Sequence, residues 1–169
     1  MPDDVFDPIA VLQALDRHRV TYIVIGALGR VIHGSGEVTD GIDIVPSTRD
    51  ENLHRLGLAL DELNARRPDG EELALERDLA GLSVIRVDTD AGLVNVVPQP
   101  AGTRGYDDLR RAATREPLGR GLRPAVASLG DHARMLAALD HDHTLAPLQT
   151  VRRLIELEHA PSRGHGIDI

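Results

Sequence analysis

The chain has 169 residues and a formal charge of −8 at pH 7, with no cysteine, no tryptophan, one phenylalanine and two tyrosines. That length fits one domain able to bury a core without staples, and the missing cysteines exclude disulfides and thiolate metal sites. The acidic balance argues against broad, non-specific nucleic-acid binding, though a local basic patch stays open.

All 19 basic residues are arginine, so no lysine can act as base, Schiff-base former or phosphate clamp. Aromatics are limited to Phe6, Tyr22 and Tyr106, and base-stacking platforms are not expected. No apolar run approaches the ~18 residues of a membrane span. The start, Met-Pro-Asp-Asp, lacks the apolar stretch of a signal peptide, and the expected address is the cytoplasm.

Asp7-Pro8 predicts a helix start, an N-cap followed by proline at the first helical position, with Ile9, Leu12 and Leu15 on one face. "VTYIVI", residues 20–25, is β-branched and aromatic and predicts a buried strand ending at Gly26. A short helix over 27–33 follows, closed by His33-Gly34-Ser35-Gly36. Residues 38–45 form a second strand, stopped by Pro46. Ser47 is the expected N-cap of a helix over 48–66, with Leu53, Leu56, Leu60 and Leu63 inward. After the Pro68-Asp69-Gly70 turn, residues 71–80 are ambiguous between helix and coil. Strands over 82–87 and 93–97 flank a hairpin turn at 88–92. A short helix over 106–113, a strand over 122–127, a helix opened by Ser128 and another over about 144–158 complete the order. The tail from Pro161 reads as loose. This order predicts an α+β fold: a mixed sheet with helices on one side and a C-terminal helical pair. The expected organisation is a core over 1–127, helices of the same domain over 128–160, and a tail over 161–169.

Two features carry the chemistry. Gly26 sits where a buried strand turns into a helix, a place where backbone can approach an anion; it can equally be a tight turn. Asp43 lies inside the apolar run Ile42-Asp43-Ile44-Val45, and buried aspartates are rare unless paired or metal-bound. Nucleotidyl transfer uses divalent ions to clamp the attacking and leaving oxygens. Carboxylates at i and i+2 of a strand share a face and can hold them.

The stretch "YIVIGALGRVIHGSGEVTDGIDIVPSTRDENLHRLGLAL" resembles the front half of the minimal nucleotidyltransferases of toxin–antitoxin type, the AbiEii/MenT-like group. Their pattern is a strand, Gly-Gly or Gly-Ser, a short helix, His-Gly, then Arg-x-Thr-x-Asp-x-Asp on a strand. "DTDAGLVNVVPQPAGTRGYDDLRRAA" is similar to their third-carboxylate strand and its continuation, and "VASLGDHARMLAAL" with "LQTVRRLIELE" to their closing helices. The resemblance implies a polymerase-β-like nucleotidyltransferase core. It also implies Mg²⁺-dependent transfer of a nucleotide from an NTP onto an RNA acceptor, commonly the tRNA 3′ end. Such transfer blocks translation, and a cognate antitoxin protein restrains it. The alternative is a catalytically degenerate member that binds a nucleotide or a protein.

Carried over residue by residue, Gly26 matches the first glycine and Ala27 replaces the second. Thr39 matches the threonine and Asp43 the second aspartate. Glu37 stands at the arginine, Gly41 at the first aspartate and Asn95 at the third carboxylate. Asp43 and Asn95 are therefore the expected metal ligands, and one charge in place of three weakens magnesium binding. Gly41 marks a lost acid, a deliberate inactivation, or a bulge that re-aims Asp40. Ala27, Arg30, Thr39 and Arg134, with Gly26, are the expected nucleotide contacts. Thr39 is also a place where phosphorylation would set close to two negative charges against substrate phosphates. Arg152-Arg153 reads as a local basic patch, His141-x-His143 as surface histidines, and His33 as structural.

Overall fold

The computed structural model describes residues 6–139 and 145–159. The chain begins with α1 (Pro8–Arg17), whose N-cap Asp7 accepts a hydrogen bond from Ala10 N at 3.1 Å. β1 (Tyr22–Ile25) runs into α2 (Gly26–Ile32), followed by β2 (Gly41–Pro46), α3 (Asp50–Glu62) and a single turn, α4 (Leu75–Asp78). β3 (Ile85–Thr89) and β4 (Gly92–Val96) form the expected hairpin. Then come α5 (Tyr106–Leu109), β5 (Thr114–Arg115), β6 (Ala125–Val126), α6 (Leu129–Leu139) and α7 (Leu145–His159).

The six strands make one mixed sheet in the order β3-β4-β2-β1-β6-β5. β1 pairs antiparallel with β2 and parallel with β6, while β2 pairs parallel with β4. Every residue of β1 is buried, because the sheet is covered on both faces rather than one. Tyr22 and Val24 point into a core with Leu12, Leu15, Leu56 and Leu60 of α1 and α3. Ile23 and Ile25 point the other way, against Leu109 of α5 and Met135 of α6. The apolar run of β1 carried this information, since a strand buried on both faces lacks alternation. α6 and α7 pack as the expected pair through Leu129, Leu136, Leu148 and Val151.

Strand bounds shift: β3 covers Ile85–Thr89 rather than 82–87, and β6 only Ala125–Val126 rather than 122–127. Three further expectations shift. The helix after β2 starts at Asp50, not after Ser47: Ser47 is buried and its N–H donates to Thr21 O at 3.1 Å, which keeps it with the sheet. Asn52, 5 % exposed, fixes this junction. Its side chain accepts from Thr21 N at 2.7 Å and donates to Thr21 O at 2.9 Å and Ser47 O at 2.7 Å, so one amide ties the start of β1 to the end of β2. The two-residue β5 has too little pattern to be read from sequence.

The third shift concerns β2. It begins at Gly41 rather than at residue 38, and Thr39 turns the chain into it: the Thr39 hydroxyl donates to Gly41 O at 2.8 Å. From Gly41 the register against β4 is one to one: Gly41↔Leu93, Ile42↔Val94, Asp43↔Asn95, Ile44↔Val96. There is no extra residue, hence no bulge to re-aim Asp40, which lies exposed in the bend before the strand. Gly41 also allows a close approach of the strands. A Cβ there would stand 2.8 Å from Leu93 O and 3.0 Å from Leu93 Cβ, so β4 would have to move.

α6 is seated by His132, 1 % exposed, whose ring lies 5.8 Å from that of His33 in an edge-on arrangement. The ring presses on Gly29 of α2, where a Cβ would come 2.8 Å from Cε1. His33 in turn donates from Nε2 to Ala127 O at 2.8 Å, tying the end of α2 to the end of β6. Nε2 of His132 has no hydrogen-bond partner among the described residues. Burial above all, then His33 and Arg30, pushes the His132 pKa down to about 3.

Two outcomes follow from this packing. Gly41→Asp lowers stability in urea unfolding by about 1–3 kcal/mol, as overpacking against backbone does; an unchanged midpoint would show that β4 gives way freely. For His132, the unfolded chain binds a proton near the ordinary value of 6.5 and the folded chain only near 3. The folded state therefore loses stability as pH falls from 6.5 toward 3, by at most about 1.4 kcal/mol per pH unit. His132→Gln removes this component, so urea midpoints at pH 7 and pH 4.5 differ less in the variant than in the wild type.

Candidate functional site

β1, α2, β2 and α6 meet around a cleft of ≈ 440 Å³. Ile25, Gly26, Ala27 and Arg30 form one wall, Asp43 the floor, and Met135, Leu136 and Leu139 the opposite wall. Val97, Gln99, Pro100 and Ala101, from the segment after β4, close one side, with Val84 at the rim.

Asp43 reaches this floor because β2 alternates. Ile42 and Ile44 point into the α1/α3 core, and Asp43 points the other way, toward α2. Gly26 receives it. Gly26 adopts φ +70°, a conformation that favours glycine, and a Cβ at this position would sit 2.2 Å from Asp43 Oδ2. The gap left by the missing side chain thus holds a carboxylate of the protein itself. Asn95, paired with Asp43 across β2 and β4, donates from Nδ2 to Asp43 Oδ1 at 2.9 Å. Burial pushes the Asp43 carboxyl above its ordinary value, while the Asn95 hydrogen bond and the charge of Arg30 pull the other way.

Arg30 lines the cleft but is committed elsewhere. Its Nε and Nη2 donate to the two oxygens of Glu37, each at 2.8 Å, and its side chain is only 11 % exposed. Ser35 adds a hydroxyl donor to Glu37 Oε2 at 2.7 Å. The guanidinium, then the serine, hold the Glu37 carboxyl below its ordinary range. Glu37, at the position where the resemblance expects an arginine, therefore contributes a carboxylate that neutralises the nearest cation.

The expected site residues separate into two groups. Gly26, Ala27, Arg30 and Asp43 converge on the cleft, with Asn95 behind Asp43. Thr39 spends its hydroxyl on the turn into β2. Arg134 lies on the outer side of α6, paired with Asp108 at 3.0 Å and Asp131 at 3.1 Å, and lines a different recess with Arg104 and Arg111. His141 and His143 fall outside the described residues. Sequence reasoning passed over His132, Met135 and Leu136. The signal was there: Leu129, His132 and Leu136 recur at helical spacing, which puts the histidine on the inward stripe.

A two-magnesium site needs several oxygen ligands around each ion. Here the residues do not fit one. Gly41 offers no side chain, Asp40 is exposed outside the strand, and Asn95 directs an N–H at the carboxylate oxygen a cation would need. Among the described residues, no group of three His, Cys, Asp or Glu side chains could hold a metal ion. No described helix is long and apolar enough to cross a membrane.

No family model and no curated protein matches the chain. Solved structures do. The lincosamide antibiotic adenylyltransferase LnuA, solved with lincomycin bound, superposes with a TM-score of 0.62 at 12% identity, covering 90% of this chain and 99% of that one. A putative nucleotidyltransferase from Thermotoga maritima, TM1012, gives 0.55 at 15% identity, covering 89% and 91%. The antibiotic-resistance factor ANT(2'')-Ia, in complex with adenylyl-2''-tobramycin, gives 0.56 at 14% identity, covering 89% and 86%. Likeness of this extent at such low identity speaks to the fold, and the chain has the polymerase-β-like nucleotidyltransferase fold.

Proposed function

We propose that this chain is a catalytically degenerate nucleotidyltransferase that keeps the cleft as a binding site and moves no nucleotide. The observation that carries this reading is the state of Asp43. It is the one acid left of the expected three, and its Oδ1 accepts an amide hydrogen instead of facing a cation. Two further observations support it. Gly41 is packed against Leu93 backbone, so the lost acid is not a vacant place waiting for an aspartate. Arg30, the cationic residue of the cleft wall, is neutralised by Glu37. Among the described residues, a triphosphate in this cleft would meet a carboxylate with no metal cage and no uncommitted cation to offset it.

A second reading is favoured by the juxtaposition of Gly26 and Asp43 at the cleft floor, both matching the resemblance. In it the chain is a toxin of the AbiEii/MenT-like kind. It transfers a nucleotide from an NTP onto the tRNA 3′ end with Mg²⁺ and is restrained by an antitoxin. The neighbours LnuA and ANT(2'')-Ia, by contrast, were solved with lincomycin and adenylyl-2''-tobramycin, so small-molecule acceptors belong in the same assay.

The two readings separate in one experiment. Wild-type protein is incubated with each of the four radiolabelled triphosphates, Mg²⁺, and either total tRNA, lincomycin or tobramycin. Incorporation at the no-enzyme background is expected in every arm. The Gly41→Asp/Asn95→Asp double variant, screened for a cooperative melt, asks whether the loss lies in the acids: label transfer by this variant alone supports degeneracy at those positions. Mg²⁺-dependent label transfer by the wild type would falsify the binding reading.

A further inference from the structure

The charges around the cleft specify what it can hold. Among the described residues, three ionisable side chains line it: Arg30, Asp43 and His132. Arg30 is consumed by Glu37 through two 2.8 Å contacts. His132 is buried, and desolvation keeps it neutral above pH about 3. Asp43 is in no ion pair among the described residues, and Arg30, already bound to Glu37, acts on it only through its charge. Its Oδ1 is taken by Asn95, and Oδ2 receives no hydrogen bond from the described residues.

Apart from the amide of Gln99, the rest of the lining among the described residues is apolar. Val97, Pro100, Met135 and Leu136 contribute apolar lining, and so do Val84 and Leu139, 57% and 42% exposed. Large hydrophobic side chains left exposed at the rim of a concave site are where a ligand body gains most from burial. The volume, ≈ 440 Å³, falls within the about 300–1,000 Å³ of small-molecule sites.

We propose that the cleft binds an apolar small molecule carrying an ammonium group, its body against Met135, Leu136 and Val97 and its cation on Asp43 Oδ2. This rests on reading the cleft as a non-transferring binding site. An ammonium supplies the missing counter-charge and a donor for the open oxygen, and needs no cage of several oxygens as a divalent ion does. A carboxylate or phosphate ligand would place like charges together in a poorly hydrated site. A neutral ligand would fill the apolar walls but leave Asp43 without a counter-ion.

Three ligands of one skeleton test this: tryptamine, its neutral analogue tryptophol, and indole-3-propionate. Each is titrated calorimetrically into the full chain at pH 7.5 and low salt. Tryptamine is expected to bind at least tenfold more tightly than either analogue. Asp43→Asn, nearly isosteric and checked by its thermal melt, is expected to abolish that preference. The preference surviving in Asp43→Asn, equal affinities for the three, tighter binding of the carboxylate, or no binding by any of them would each overturn the proposal. Label transfer by the wild type in the nucleotide assay sinks the underlying reading instead; a lost amine preference without transfer sinks only the ligand class.

Discussion

Everything at the cleft depends on how one carboxylate is accommodated. Asp43 lies in an otherwise apolar strand, and an isolated buried charge is among the most expensive things a fold can contain. The protein meets this cost with an absence and a presence. Gly26 withholds a side chain so that Oδ2 has somewhere to sit, and Asn95 donates a hydrogen bond to Oδ1. The first requires the left-handed turn that ends β1 and opens α2; the second requires the parallel register of β2 with β4. Local backbone geometry and sheet topology therefore converge on a single functional group.

The same reasoning accounts for Arg30 and Glu37. A guanidinium this deep needs a partner, and Glu37 with Ser35 provides one within the loop that follows α2. Removing one member of a buried ion pair costs more than the pair contributes, about 3–5 kcal/mol, so the two are coupled. The effect on the cleft is electrostatic. With Arg30 neutralised and His132 uncharged, the described lining carries the sign of Asp43 alone. The acid that neutralises Arg30 stands at residue 37, outside the cleft lining.

Much of the fold could be read from the residues because strong local signals agree with it. The Asp7-Pro8 cap, the Leu53–Leu56–Leu60–Leu63 stripe and the β3–β4 hairpin all formed as their patterns indicate. Boundaries failed where tertiary contacts outweigh local preference. Ser47 has the chemistry of a helix cap, but Thr21 and Asn52 hold it to the sheet. The position of Asp43 on a strand could be foreseen from Ile42-Asp43-Ile44. Its neighbours could not, because whether Asn95 faces it, and whether Gly26 makes room for it, depends on strand order and register. Nor does sequence distinguish a glycine that has merely lost an acid from one that, like Gly41, lets a neighbouring strand approach.

Asn52 gives the scaffold a property of a different kind. Its single amide fastens the first residue before β1 to the first residue after β2, at the end of these strands away from Asp43. The central strand pair is thus closed at both ends, by a clasp at one and by the α2 turn at the other, and the clasp owes nothing to the cleft. A substitution of Asp43 then leaves this clasp in place. A fold built this way can lose one activity and take up another with its frame undisturbed, because the parts that hold it together and the parts that choose its ligand occupy opposite ends of the same two strands.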